Sequence, residues 1–241
     1  MNLLFVSYIV IVGFFAGVLV NVLADVLPQL NRQNVSGRKT AQLHNTVREL
    51  KASVSSRTLR WCIVIVSSIC LTALSLFGRG LIGGSLIFAQ EIFVLQIVYL
   101  FIFLLIVVID IEHRRVLNIV IIPATVFSLI FAVSTSSATL MNGILGGVSG
   151  FSIFFLLALL RPGAMGMGDV KLAGLIGVIV GFPSIISAII VGVLTGGLGA
   201  VLLILFRRTQ LDGTMAYAPY LVAGAVLSLF NGTTVLQWML M

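Results

Sequence analysis

Charge is what this sequence has least of. Only 9% of its 241 residues are charged and 60% are hydrophobic, with a mean hydropathy of +1.22. A soluble domain is closer to half apolar and a quarter charged, so this composition excludes one. The apolar runs are also continuous, without the short alternating strands of a membrane barrel. The sequence therefore predicts an all-α, polytopic bundle of transmembrane helices, each satisfying its own backbone hydrogen bonds.

Cysteine is scarce as well. Cys62 and Cys70 lie in one apolar segment without Cys-x-x-Cys spacing, which favours small apolar side chains in a helix over redox or metal chemistry. The polar stretch 29–60 has no cysteine, and His44 alone cannot supply the four ligands of a structural zinc site. We expect no zinc and no metal in a functional site.

The apolar runs predict about eight membrane spans, each near the 20 residues that a bilayer requires. They are 4–27, 61–77, 92–110, 116–133, 141–160, 170–182, 184–206 and 215–230. We divide the chain into a first transmembrane helix, 1–28, a short basic cytoplasmic loop, 29–60, and a transmembrane core, 61–241.

The distribution of basic residues predicts the orientation. A net charge of +7 would suggest nucleic acid in a soluble protein, but here the partner is the lipid bilayer and no nucleic acid is expected. Alternation of the spans puts every Lys and Arg except Arg79 on the side of the 29–60 loop. The positive-inside rule makes that side cytoplasmic, and the same alternation places Asp110 and Asp169 at cytoplasmic helix ends.

These two aspartates are the candidate chemistry among only seven acidic residues. Asp110 closes the apolar run 99–109, and Asp169 follows a glycine-rich turn at the mouth of another apolar segment. An acid at such a place is costly unless it has a partner or a function. If the two carboxyl groups meet, they should share a proton. One can then take a proton from water while the other protonates a scissile carbonyl.

Other interpretations of the same residues stay open. A proton-coupled transporter would also use two carboxylates at a membrane boundary. In a purely structural alternative, the glycine-rich turn only joins two spans and Asp169 pairs with Lys171 or a nearby arginine. We further expect Gly166 and Gly168 to allow close backbone approach and a turn with positive φ.

Four stretches resemble one family. Gly166–Leu172 resembles the Gly-x-Gly-Asp signature of membrane aspartic proteases, and its Val-Lys-Leu ending is similar to the type IV prepilin peptidases. Asp110–Asn118 is similar to that family's first catalytic segment, with Leu117 in place of the usual proline. Gly17–Pro28 and Ala216–Leu221 resemble two further family segments.

The resemblance implies an aspartic endopeptidase of the inner (cytoplasmic) membrane. It would cleave the basic leader of type IV prepilin or pseudopilin precursors at the cytoplasmic boundary. Asp110 and Asp169 would be catalytic, and the site would be shaped by Gly166, Gly168, Asn118 and Lys171. Proteolysis would need no cofactor, and S-adenosylmethionine would be needed only if the chain also N-methylates the new terminus. An inactive membrane protein of pilus assembly is the remaining alternative.

Overall fold

The computed structural model describes residues 3–36, 58–82, 89–114, 116–160, 165–205 and 217–240. Side chains are described over 11–29, 60–73, 95–114, 116–160, 165–201 and 217–230. Most of the predicted basic loop, residues 37–57, lies outside these ranges.

The described residues form eight helices and no strand. In chain order they are α1 (Leu3–Ser36), α2 (Thr58–Ile82), α3 (Ala89–His113), α4 (Asn118–Thr135), α5 (Ser137–Leu160), α6 (Met167–Val180), α7 (Ser184–Leu205) and α8 (Ala218–Leu240). Each predicted span corresponds to one of these helices.

Five of the helices contain a stretch long and apolar enough to cross a membrane. These stretches are Ile11–Gln29, Leu95–His113, Asn118–Thr135, Ser137–Leu160 and Ser184–Val201. Helix α6 has only 14 residues, about 21 Å at 1.5 Å per residue, which is short of a bilayer's hydrocarbon thickness. The prediction of an all-helical, polytopic membrane protein is confirmed.

The helix ends differ from the predicted boundaries. Helix α1 runs through Pro28 and ends at Ser36, because one proline removes a single helix hydrogen bond without stopping a helix that neighbours support. Helix α3 continues past Asp110 to His113, so Asp110 sits inside its last turn. The polar stretch expected as a loop between α4 and α5 shrinks to Ser136, whose backbone is extended.

The chain divides into two compact units, Met1–Val108 and Ile109–Met241. In the first unit α1 and α2 pack antiparallel through Gly13 and Gly17, where a Cβ would lie 2.7 Å and 2.8 Å from the Cα atoms of Ile69 and Ile65. An ion pair ties the same two helices together, with 2.7 Å between Arg60 Nη2 and Asp25 Oδ2.

In the second unit, glycines let α5 and α6 approach closely. Gly146 and Gly177 face one another so tightly that a Cβ on either would meet the backbone of the other helix. Gly150 meets Ala173 one turn further along, so the two helices are antiparallel. Small residues allow this backbone contact in membrane bundles, and it fixes the level at which the first turn of α6 stands.

Candidate active site

Asp110 reaches the site from the last turn of α3. It is buried, with 4% of its surface exposed. Its Oδ2 accepts a hydrogen bond of 3.2 Å from the backbone N–H of Ala218, the first residue of α8. A buried carboxylate needs such a donor, since an unpaired one would carry a large desolvation cost.

Asp169 reaches the site from the first turn of α6. Gly166 caps that helix with extended backbone, and its carbonyl accepts a 3.0 Å hydrogen bond from the Asp169 N–H. A carboxylate in the first turn also faces the positive end of the helix dipole. The sequence thus sets Asp169 where a helix begins rather than where a membrane span is deepest.

The charge of Asp110 acts on the carboxyl group of Asp169. Burial, followed by the charge of Asp110, raises the pKa of Asp169 from 3.8 to about 6, while a backbone hydrogen bond with Gly166 acts in the opposite direction. Like charges act this way only when they are close enough to escape full screening by water. The structure therefore brings the two predicted aspartates into one site, at one end of the second unit.

Tyr217 completes this site from the segment before α8. Burial raises the pKa of its phenol, and the charge of Asp169 raises it again. Its ring packs against Phe154 of α5, with 6.3 Å between the ring centroids. The charge of Asp169 acts on Tyr217 while the neighbouring Ala218 donates to Asp110, so this short segment lies near both halves of the pair.

Glycine is required at position 168 for only one of the two reasons that we expected. A Cβ at Gly168 would lie 2.9 Å from the Cβ of Val116, which is closer than side chains approach without displacement. The expected positive φ is wrong: Gly166 has φ −77°, and Gly168 lies within α6. Close approach alone, and not left-handed backbone, is what the structure requires of Gly168.

Lys171 and Asn118, the other two predicted site-shaping residues, contact each other. The Lys171 Nζ donates to the Asn118 Oδ1 at 3.0 Å, linking α6 to the first residue of α4. Among the described side chains, Lys171 thus donates its hydrogen bond to the Asn118 amide and not to Asp169. Both predicted site-shaping residues help to hold the beginnings of two helices together.

Three contributors to the site were missed by sequence reasoning. Tyr217 and Ala218 lay within a stretch quoted only for its resemblance, and Val116 within another. The signal for the first two was their position, since a polar turn before the last span returns the chain to the side that holds the aspartates. Nothing in the sequence shows that a backbone N–H would be the donor to Asp110.

The described residues do not form a metal site. No three His, Cys, Asp or Glu side chains gather in the parts of the chain that the structure describes. Because residues 37–57 lie outside those parts, the expectation of no zinc stays a prediction.

Residues 97–201, which contain both aspartates, match the model of the type IV leader peptidase family. This match covers fewer than half of the residues of the chain. The chain is also 29% identical over 96 residues to the prepilin leader peptidase/N-methyltransferase of Bacillus subtilis (strain 168), a match covering 40% of this chain and 39% of that relative. No solved structure matches the chain significantly.

The leader peptidase match and the geometry are independent observations. The match spans α3 from residue 97 to part of α7, whereas Tyr217 and Ala218 lie beyond it. The position of Tyr217 and Ala218 beside the aspartates is therefore seen in the structure and not in this match. The matched part covers only two-fifths of the curated relative, so we treat the activity as a proposal.

Replacing Gly168 by alanine should destabilise the site, because the new Cβ would meet Val116. We expect a cost of about 1–3 kcal/mol for this overpacking, measured as a lower midpoint of thermal unfolding in detergent. Adding Val116→Gly should recover much of the loss by removing the opposing Cβ. Gly166→Ala is the matched control, since its Cβ would lie 3.5 Å from Asp169 Oδ2, an ordinary contact. Equal effects at 166 and 168 would contradict this packing.

The raised pKa of Asp169 should make stability depend on pH. The group has its ordinary pKa of 3.8 when unfolded and about 6 when folded, so the folded state binds the extra proton. Ionisable Asp169 therefore lowers stability progressively from about pH 4 to about pH 6, and not below that window. Asp169→Asn should gain in unfolding midpoint over wild type across the same window and keep that gain above it. A difference independent of pH would count against the burial of this carboxyl beside Asp110.

Proposed function

We propose that this chain is a membrane aspartic endopeptidase that removes the basic leader from type IV prepilin or pseudopilin precursors. The observation that carries the proposal is that Asp110 lies near enough for its charge to act on Asp169, within a segment that matches the leader peptidase family. A proton-coupled transporter and an inactive assembly protein have no comparable support in the site or in the matched sequence.

The chemistry follows from two carboxyl groups that share one proton. The ionised group takes a proton from a water molecule as its oxygen attacks the scissile carbonyl carbon. The protonated group donates its proton to the carbonyl oxygen, giving a tetrahedral diol. As the C–N bond breaks, the group that took the proton from water gives it to the leaving amine, and the other group takes a proton from a diol hydroxyl, so the pair again holds one proton. The titration belongs to the pair, so neither role is fixed to one residue.

The position of the site fits a substrate cut at a membrane boundary. Asp110 lies in the last turn of α3 and Asp169 in the first turn of α6. A peptide bond between a polar leader and an apolar helix would lie at this level when the helix is in the bilayer. The Ala218 N–H on Asp110 and the ring of Tyr217 would then border the scissile bond.

Proteolysis by this pair uses no cofactor. The curated relative also has N-methyltransferase in its name, and that activity would require S-adenosylmethionine. We extend only the peptidase activity to this chain, because the proposal is carried by two carboxyl groups whose chemistry is that of peptide hydrolysis.

Replacing either aspartate by asparagine should abolish processing. The change is nearly isosteric but removes a proton donor or acceptor, and such groups contribute about 100-fold to 10,000-fold in rate. Co-expression with a type IV prepilin, followed by the size shift of the pilin on a gel, measures it. Glu112→Gln on the same helix α3 is the control for loss of one negative charge. Full processing by Asp110→Asn or Asp169→Asn would remove that residue from the catalytic pair.

The site should open to the cytoplasm. In a background with Cys62→Ser and Cys70→Ser, we expect Arg114→Cys and Met165→Cys to be labelled by an impermeant thiol reagent only in inverted vesicles or broken cells. Ser137→Cys, exposed at the start of α5, should show the opposite pattern, because α4 separates it from Arg114. Labelling of positions 114 and 165 in intact cells would overturn the orientation.

A further inference from the structure

An apolar groove of about 390 Å³ lies between α4, α5 and α6. Ile122 and Val126 line it from α4, Val148 and Phe151 from α5, and Leu175 from α6. The hydroxyl of Thr125, also in the lining, donates to the Ile121 carbonyl of its own helix at 2.8 Å. The groove therefore offers a ligand mainly apolar contact.

The groove faces outward from the second unit. Ile122, Val126 and Val148 are 58%, 50% and 59% exposed. Helices α4 and α5 are both long and apolar enough to cross a membrane. Side chains so exposed on membrane-spanning helices contact hydrocarbon, so the natural occupant of this groove has an apolar chain.

One cation lines the groove. Lys171 is half-buried, and the partner of its ammonium group in the described structure is the neutral amide of Asn118. It lies four residues into α6 from Met167, about 6 Å along the helix, and therefore close to the membrane boundary. A lysine at this depth extends its charge toward the headgroup layer, where it attracts phosphate.

The groove does not open on the catalytic pair. Asp169 and Lys171 are two residues apart on α6, so their side chains leave the helix about 200° apart. Asp169 faces Asp110 and Tyr217, whereas Lys171 faces α4. A ligand in the groove would thus lie behind the helix that carries Asp169, which disfavours the substrate peptide as its occupant.

We propose that the groove between α4, α5 and α6 binds one anionic phospholipid. An acyl chain lies along Ile122, Val126 and Val148, and the phosphate pairs with Lys171. This inference is independent of the peptidase activity. It gives Lys171 a ligand on the face of α6 opposite the aspartates.

The test uses the full chain, delipidated in detergent and titrated with phosphatidylglycerol or phosphatidylcholine, with bound lipid counted by native mass spectrometry. Wild type should bind one phosphatidylglycerol about five-fold more tightly than phosphatidylcholine, the preference that one lysine near a membrane surface supplies. Lys171→Met should lose that preference and keep the weaker binding. Ile122→Trp should fill the groove and lose both lipids.

Ile130→Trp is the matched control, since Ile130 lies on the same helix, is 61% exposed and is not part of the groove. It should bind lipid as wild type does.

Inorganic phosphate should not compete, because the acyl chain provides most of the contact. Competition by phosphate would instead indicate an anion site and overturn the proposal. Equal binding of the two lipids by wild type would also overturn it. So would normal lipid binding by Ile122→Trp together with lost prepilin processing, which would assign the groove to the substrate. Loss of Asp169-dependent processing alone would bear on the peptidase proposal and not on this one.

Discussion

Two neighbouring carboxyl groups, Asp110 buried and Asp169 partly buried, form the constraint on which this structure depends. Each alone would resist burial, and together they repel when both are ionised. Backbone donors stabilise both groups: the Ala218 N–H donates a hydrogen bond to Asp110, and the Gly166 backbone forms one with Asp169. These donors lie at the starts of α8 and α6. The carboxyl groups are therefore stabilised only if these two helices begin at the level where α3 ends.

Close packing sets that level. Gly146 and Gly177 bring α5 and α6 into backbone contact, which fixes how far α6 slides along its neighbour. Gly168 then lets the first turn of α6 rest on Val116, just before α4. The Lys171–Asn118 hydrogen bond closes the same junction. A small-residue helix face and a tight turn thus determine where Asp169 stands relative to Asp110.

Much of this fold can be predicted from the sequence because its helices cross a bilayer. Since a spanning helix must be long and apolar, continuous apolar runs locate the eight helices of the described residues, and their alternation places Asp110 and Asp169 at the same side. Helix ends are less readable, because apolar content falls before the hydrogen bonds stop, as at His113. The glycine-rich turn was correctly linked to close approach but wrongly to positive φ, since a contact 52 residues away at Val116 leaves no local sign. The Ala218 donor and the groove around Lys171 depend on packing between helices, which hydropathy does not report.

Cross-linking tests the central claim, that the two aspartates share one site, most directly. In a background with Cys62→Ser and Cys70→Ser, Asp110→Cys is combined with Asp169→Cys and treated with a short bifunctional thiol reagent, and the linked peptides are identified by mass spectrometry. A second chain combines Asp110→Cys with Phe182→Cys, which lies beyond the far end of α6. The account predicts efficient linkage at 110 and 169 and none at 110 and 182. Absence of linkage in the first pair, with both thiols reactive toward a monofunctional reagent, would contradict it.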